Sequence, residues 1–251
     1  MSDGKKILAD QSRRRFLAKA GVAVAAGMAS GARIIGFPDA RAATDPVTGA
    51  RRWGMLIDAD KCATGCNACV QACDDEHGIK GHGRPQTDAQ WIRKVTLRDR
   101  ASGRETSLPL MCQHCEKPPC VDVCPTGASF RRADGVVLVD KHTCIGCRYC
   151  MLACPYKARS FIHEDVTDQK PWSPRGKGTV ESCNLCVHRI DEGKGRIPAC
   201  AEACEREGHR AILFGDLNDP ASDIARARAG QESRELRADL GLNTGVRYQN
   251  L

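Results

Sequence analysis

The chain has 251 residues, of which 16 are cysteine and only 11 are aromatic, and its formal charge is +7. Residues 1–42 contain eight Lys or Arg against three Asp, so +5 of that excess lies at the start of the chain. Deprotonated cysteines would reverse the remaining +2, so the charge excludes nucleic acid as an expected partner. Because aromatic residues are scarce, we expect bound groups to supply part of the core.

The first 43 residues have the features of an export signal. Residues 12–17 (SRRRFL) precede a mildly apolar stretch, 21–32, and a cleavage motif at 40–42 (ARA). This order is typical of a twin-arginine signal peptide and predicts a periplasmic protein, with a linker at 44–52. The alternative is a basic tail beside a buried helix. No later apolar run reaches about 18 residues, so we expect no membrane-spanning anchor after the signal.

The mature part predicts short strands between cysteine-bearing loops and helices. In chain order, the predicted elements are a strand at 53–58, a hairpin of 91–97 with 105–110 turning at Ser102 and Gly103, a two-residue hairpin at Asp134 and Gly135, a linker at 171–178, a surface segment at 187–199 and a strand at 211–214.

The cysteines form four groups of four. The third group, Cys144-x2-Cys147-x2-Cys150-x3-Cys154-Pro155, has the bacterial ferredoxin spacing, in which three thiolates wrap one [4Fe-4S] cluster and the fourth ligates a neighbouring cluster. The other groups are Cys62, Cys66, Cys69 and Cys73; Cys112, Cys115, Cys120 and Cys124; and Cys183, Cys186, Cys200 and Cys204. The pattern predicts four [4Fe-4S] clusters.

An internal repeat supports the first group despite its longer first gap. Asp58 lies four residues before Cys62, as Asp140 lies four before Cys144. Gly65 precedes Cys66 as Gly146 precedes Cys147.

Two other uses of these cysteines fit the spacing less well. Closely spaced cysteines suit disulfide geometry poorly, and triplets followed by Cys-Pro differ from the paired ligands of zinc sites. Two functional alternatives to an electron carrier also stay open. One is an enzyme with an open cluster held by three protein ligands; the other is a zinc-stapled interaction module, which would be colourless where an iron-sulfur protein is brown.

The groups can be paired in more than one way. One hairpin separates the two central groups, which predicts that they share one unit and that the first and last groups share another. We name the resulting ligand sets quartet 1 (Cys62, Cys66, Cys69, Cys204), quartet 2 (Cys73, Cys183, Cys186, Cys200), quartet 3 (Cys112, Cys115, Cys120, Cys154) and quartet 4 (Cys124, Cys144, Cys147, Cys150). The alternative pairs the first group with the second and the third with the fourth.

The expected fold is α+β, with two ferredoxin-like domains built from interleaved cysteine groups, hairpin insertions and an irregular C-terminal tail. The outer domain comprises 53–110 and 171–215, the inner domain 111–170, and the tail, 216–251, packs along the clusters.

A few further residues have individual interpretations. His114 and His188 are candidate donors to cluster sulfurs, although ordinary loop histidines are favoured. Arg148 and Arg159 are interpreted as part of a solvated basic face. Residues 175–178 lack the remainder of a phosphate-binding motif and are interpreted as linker.

Several motifs carry a family resemblance. Cys-Pro-Thr-Gly-Ala at 124–128, Cys-Pro-Tyr at 154–156 and Cys-Asn-Leu-Cys-Val-His-Arg at 183–189 resemble the four-cluster iron-sulfur subunits of DMSO, polysulfide, tetrathionate and formate-type molybdenum enzymes. Within that family, the export signal and widened first gap look most like the periplasmic iron-sulfur subunits of dissimilatory sulfur metabolism. The resemblance implies a non-catalytic electron carrier without a small-molecule substrate. Its partners would be an integral quinone-interacting subunit of the NrfD type and a multihaem cytochrome c.

Overall fold

The computed structural model describes residues 47–193 and 195–251. The expected export signal, 1–43, and the start of the expected linker therefore lie outside the described residues. In the part of the chain that is described, no helix is both long enough and apolar enough to cross a bilayer.

The described elements are short and mixed, which confirms the α+β class. The strands are β1 Trp53–Asp58, β2 Ile92–Arg98, β3 Glu105–Met111, β4 Ser129–Arg131, β5 Val137–Val139, β6 Ser160–Phe161, β7 Val180–Glu181, β8 Ile212–Asp216 and β9 Val246–Gln249. The helices are α1 Ala68–His77, α2 Pro119–Asp122, α3 Tyr149–Ala153, α4 Val187–Asp191, α5 Ala199–Arg206 and α6 Asp223–Gly230, with a 3-10 turn at Ala238–Leu240.

A three-stranded sheet in the order β8-β1-β9 is the largest in the described residues. Its middle strand, β1, is confirmed at the predicted bounds and is buried from Gly54 to Asp58, as an apolar strand with neighbours on both edges should be. β8 pairs with β1 in antiparallel register and β9 in parallel register.

The two predicted hairpins have different outcomes. β2 and β3 pair in full register, as predicted. Between β4 and β5, however, the two-residue turn is wrong: Arg132 N donates to Val136 O at 2.8 Å, which leaves a three-residue loop. Gly135 closes this loop with φ 90°, a left-handed conformation that glycine adopts without a Cβ clash.

The C-terminal tail is not irregular as predicted. It contributes α6, capped by Ser222, whose Oγ accepts from Ala225 N at 3.2 Å, and the strand β9. In β9, Tyr248 is fully buried, accepting a hydrogen bond from Gln113 at 3.1 Å and donating to Pro109 O at 3.2 Å. The tail therefore completes the main sheet.

Helix packing brings distant cysteine groups together. α1, from the first group, packs against α5, from the fourth, and α2, from the second group, packs against α3, from the third. β6 and β7 also pair, joining residues 160–161 to 180–181 across the expected domain boundary at 170. The described residues belong to one compact unit, and its division into an outer and an inner ferredoxin-like domain stays a prediction.

Candidate metal centres

Each cysteine group places its sulfurs by combining a tight loop with a short helix. On α1, Cys69 and Cys73 are one helical turn apart and both buried, and Cys200 and Cys204 repeat this on α5. Residues spaced by four lie on the same face of a helix, so both sulfurs of each pair point toward the interior.

The residue before the second cysteine is left-handed in all four groups. The φ angles are 86° at Gly65, 44° at His114, 70° at Gly146 and 55° at Leu185. At Gly146 a Cβ would lie 2.1 Å from Gly178 O, so only glycine fits there. The repeat seen in the first and third groups is therefore a backbone conformation shared by all four.

The inner sulfurs surround two small cavities. Cys112, Cys115, Cys120 and Cys154, which form quartet 3, line one cavity together with Val137 and Ala158. Cys124, Cys144, Cys147 and Cys150, which form quartet 4, line the second with Val139 and Val180. The second and third cysteine groups thus exchange one cysteine each.

The first and fourth groups meet in the same way. Burial raises the pKa of Cys69 to about 11, and the nearby sulfurs of Cys62, Cys204 and Cys66 contribute to that rise. Burial likewise holds the pKa of Cys73 well above its usual value, with contributions from the sulfurs of quartet 2. Because α1 packs against α5 and α2 against α3, the structure brings the cysteine groups together as the preferred pairing predicts and not as the alternative does. The assignment of each set to one cluster stays a prediction.

The four sets fit [4Fe-4S] clusters chemically. All sixteen cysteines have free thiols, and each set offers the four sulfurs that one cubane needs. Backbone N–H groups already point at ligand sulfurs: Ser129 donates to Cys124 at 3.3 Å, Val180 to Cys144 at 3.4 Å and Ala211 to Cys204 at 3.2 Å. Such hydrogen bonds stabilise thiolates that carry a cluster's negative charge.

The sets form a row whose middle is buried. Beyond the effect of burial, Cys150 raises the pKa of Cys120, Cys112 raises that of Cys183 and Cys69 raises that of Cys200, so these sulfurs are neighbours. The order is therefore quartet 4, quartet 3, quartet 2, quartet 1. All cysteines of quartets 2 and 3 are buried, whereas Cys147 is exposed and Cys62 and Cys66 are half-buried. Only the two ends of the row reach the surface of the described part of the chain.

His77 lies beside a ligand sulfur, whereas the sequence singles out His114 and His188. His77 Nε2 lies 3.3 Å from Cys186 Sγ, and its Nδ1 lies 3.0 Å from Ser173 Oγ. His114 instead accepts from Val137 N, and His188 pairs with Glu76 at 2.6 Å. The sequence could have identified His77, because it follows Cys73 by four residues and so lies on the same helix face.

Two interpretations of arginines are wrong. Arg159 does not belong to a solvated face: it is 5% exposed, and its guanidinium Nη2 donates to Cys120 Sγ at 3.1 Å. Arg175 is not in an open linker but forms a two-point ion pair with fully buried Glu181, at 2.9 and 2.7 Å. Arg159 is held by Ser129, 30 residues earlier, and Arg175 by Gly78 O, 97 residues earlier, as well as by nearby Glu181.

Comparison with known proteins identifies the family of the chain. Residues 104–216 match the family model of a 4Fe-4S dicluster domain. The chain is 41% identical to the Hdr-like menaquinol oxidoreductase iron-sulfur subunit 1 of Archaeoglobus fulgidus, over 96% of this chain and 98% of that protein. It is 37% identical to a tetrathionate reductase subunit of Salmonella typhimurium, over 86% and 78%, and 35% identical to protein NrfC of Escherichia coli, over 92% and 91%. The chain therefore binds multiple [4Fe-4S] clusters and belongs to the family of iron-sulfur subunits that these proteins represent.

Proposed function

We propose that the chain is a non-catalytic electron-transfer subunit with four [4Fe-4S] clusters, one in each quartet. The observation that carries this proposal is the row of quartets, buried in the middle and open at both ends. Clusters held by adjacent quartets would be near neighbours, so electrons could enter at one end and leave at the other. The protein's own residues would position the clusters, exclude water and set their potentials through charge and hydrogen bonds.

We further propose a periplasmic place in a membrane complex of dissimilatory sulfur metabolism, like that of DsrO in the DsrMKJOP complex. There the chain would relay electrons between an NrfD-type quinone-interacting subunit, such as DsrP, and a multihaem cytochrome c, such as DsrJ. The expected export signal and the 41% identity to a menaquinol oxidoreductase subunit support this. The second candidate is the electron-transfer subunit of a molybdopterin oxidoreductase, favoured by the 37% identity to the tetrathionate reductase protein.

The quartet 4 end has the surface of a stable docking site. Around exposed Cys147, the large apolar side chains of Ile145, Tyr149 and Leu152 are 66%, 58% and 73% exposed. Contiguous exposed apolar residues beside a redox centre are typical of a protein interface. We propose that this apolar rim docks the integral membrane partner.

Purification of the tagged complex under anaerobic conditions tests the function and separates the candidates. We expect about sixteen iron atoms per chain from four cubanes, together with covalently bound haem and a polytopic membrane protein. Molybdenum at one atom per chain would instead support the second candidate. A colourless, iron-free chain would refute both.

A matched pair of variants tests the docking surface. Leu152→Glu puts a charge in the apolar rim and should abolish recovery of the membrane partner while leaving the iron content unchanged. Leu97→Glu is the control, because Leu97 is also exposed, at 49%, but lies on the β2–β3 hairpin beside the first cysteine group. Equal recovery of the membrane partner with both variants would contradict the assignment.

A further inference from the structure

Arg159 is a buried cation that contacts sulfur. It lies just before β6, five residues after Cys154, and only 5% of it is exposed. Its Nη2 donates to Cys120 Sγ at 3.1 Å and its Nη1 donates to Ser129 Oγ at 2.5 Å. Burial alone would lower the pKa of this guanidinium, but the nearby sulfurs of Cys120, Cys112 and Cys150 outweigh that and raise it.

The contacts of Arg159 reach two quartets. Cys120 belongs to quartet 3. The side chain also interacts electrostatically with Cys150, which belongs to quartet 4. A second link to quartet 4 runs through Ser129, whose hydroxyl accepts from Arg159 and whose N–H donates to Cys124 Sγ at 3.3 Å. One guanidinium therefore stands between the ligand sulfurs of the two inner sites.

A permanent positive charge at this position acts on the redox equilibrium. Burying an arginine is costly unless negative charge compensates it, and here the groups that can do so are thiolates. A cluster gains one negative charge when it takes up an electron, so a nearby cation favours the reduced form. The planar guanidinium has several donors in fixed directions and here bonds the Cys120 sulfur and the Ser129 hydroxyl at once, whereas the lysine ammonium is a compact point charge.

We propose that Arg159 is a positioning residue that raises the reduction potentials of two clusters together, those of quartets 3 and 4. This inference rests on the proposed function, since it takes each inner quartet to hold a cluster. One shared cation would then shift both potentials in the same direction, so the difference between them would change less than either potential alone.

The test is an anaerobic redox titration of the holoprotein followed by electron paramagnetic resonance, with iron analysis of every sample. In Arg159→Gln we expect the reduction equilibrium constants of the two inner clusters to fall about tenfold each, about 59 mV for a one-electron couple. The clusters of quartets 1 and 2 are the internal reference and should keep their potentials. Lys157→Gln is the control variant. Lys157 lies two residues before Arg159 and has an exposed side chain, so this change removes the same charge from the surface.

Arg159→Lys keeps the charge but loses the paired contacts with Cys120 and Ser129, so its inner potentials should fall by less than those of Arg159→Gln. If Arg159→Gln fails to retain iron, the lysine variant decides: a joint fall of the two inner potentials supports the proposal. The proposal is overturned if Arg159→Gln keeps its full iron content and its two inner potentials equal those of Lys157→Gln. A shift in only one of the inner clusters also overturns it. A wild-type protein without four cubanes would instead refute the proposed function, so the two failures are distinguishable.

Discussion

Removing one partner of the buried ion pair between Arg175 and Glu181 should strongly destabilise the protein. Their side chains are 6% and 0% exposed, and the two contacts measure 2.7 and 2.9 Å. Arg175 also donates to Gly78 O at 2.7 Å, at the end of α1, so the pair ties the first cysteine group to β7. Lys141, whose pKa burial lowers to about 8, depends on the same carboxylate for compensating charge.

Replacing Glu181 with Gln keeps the shape of the side chain but leaves Arg175 buried without its counter-charge. Removing one partner of a buried pair costs about 3–5 kcal/mol. For a domain of this size each kcal/mol lowers the melting temperature by about 2–4 °C, so Glu181→Gln should melt about 6–20 °C below wild type. The assay is anaerobic circular dichroism melting of the holoprotein at one fixed scan rate.

Two further variants sharpen this measurement. Glu205→Gln removes an exposed ion pair with Arg210, whose atoms are 3.5 Å apart, and should change the melting temperature very little. The double variant Arg175→Met/Glu181→Leu removes both charges and should recover much of the loss, because an apolar pair of similar volume replaces a desolvated ionic one. A Glu181→Gln melting temperature within about 2 °C of wild type would refute the reasoning.

Three other predictions concern single side chains. His77→Phe removes the hydrogen bond to Cys186 and should lower the reduction potential of the quartet 2 cluster alone, by about 59 mV if the equilibrium changes tenfold, as measured by redox titration; an unchanged potential would show that the contact does not act on the cluster. Cys147→Ser should reduce iron from about sixteen to about twelve per chain if the exposed cluster is lost whole, with the other three signals intact in electron paramagnetic resonance; loss of all four would contradict independent sites. Tyr248→Phe loses hydrogen bonds with Gln113 and Pro109 O and should cost about 1–3 kcal/mol in the free energy of unfolding; a melting temperature equal to that of wild type would contradict the role given to this hydroxyl.

The parts that sequence reasoning predicted well are those that local spacing determines. The third cysteine group has the ferredoxin spacing, which fixes loop size and ligand number within eleven residues. β1 is predictable because six residues between turns are mostly apolar. The β2–β3 hairpin is predictable because its strands are joined by a short turn.

What sequence reasoning missed depends on contacts between distant segments. Arg159 and Arg175 look like ordinary surface residues in the sequence, but they contact Ser129 of β4 and the Gly78 carbonyl respectively. β9 is only four residues long, and its partner β1 is about 190 residues away, so nothing nearby in sequence identifies it as a strand. The loop at 133–135 was wrong by one residue, because Asp134-Gly135 is compatible with a two-residue turn and with a three-residue turn that ends in glycine.

The left-handed residue before each second cysteine has a consequence for how such sites arise. Gly65 and Gly146 adopt this conformation at little cost, whereas His114 and Leu185 adopt it against the preference of residues with a Cβ. What the four groups share is thus a left-handed backbone torsion, which is not visible when their residue types are compared. A designed cubane-binding peptide should therefore specify that torsion first, and it needs glycine there only where a neighbouring backbone leaves no room for a Cβ, as at Gly146.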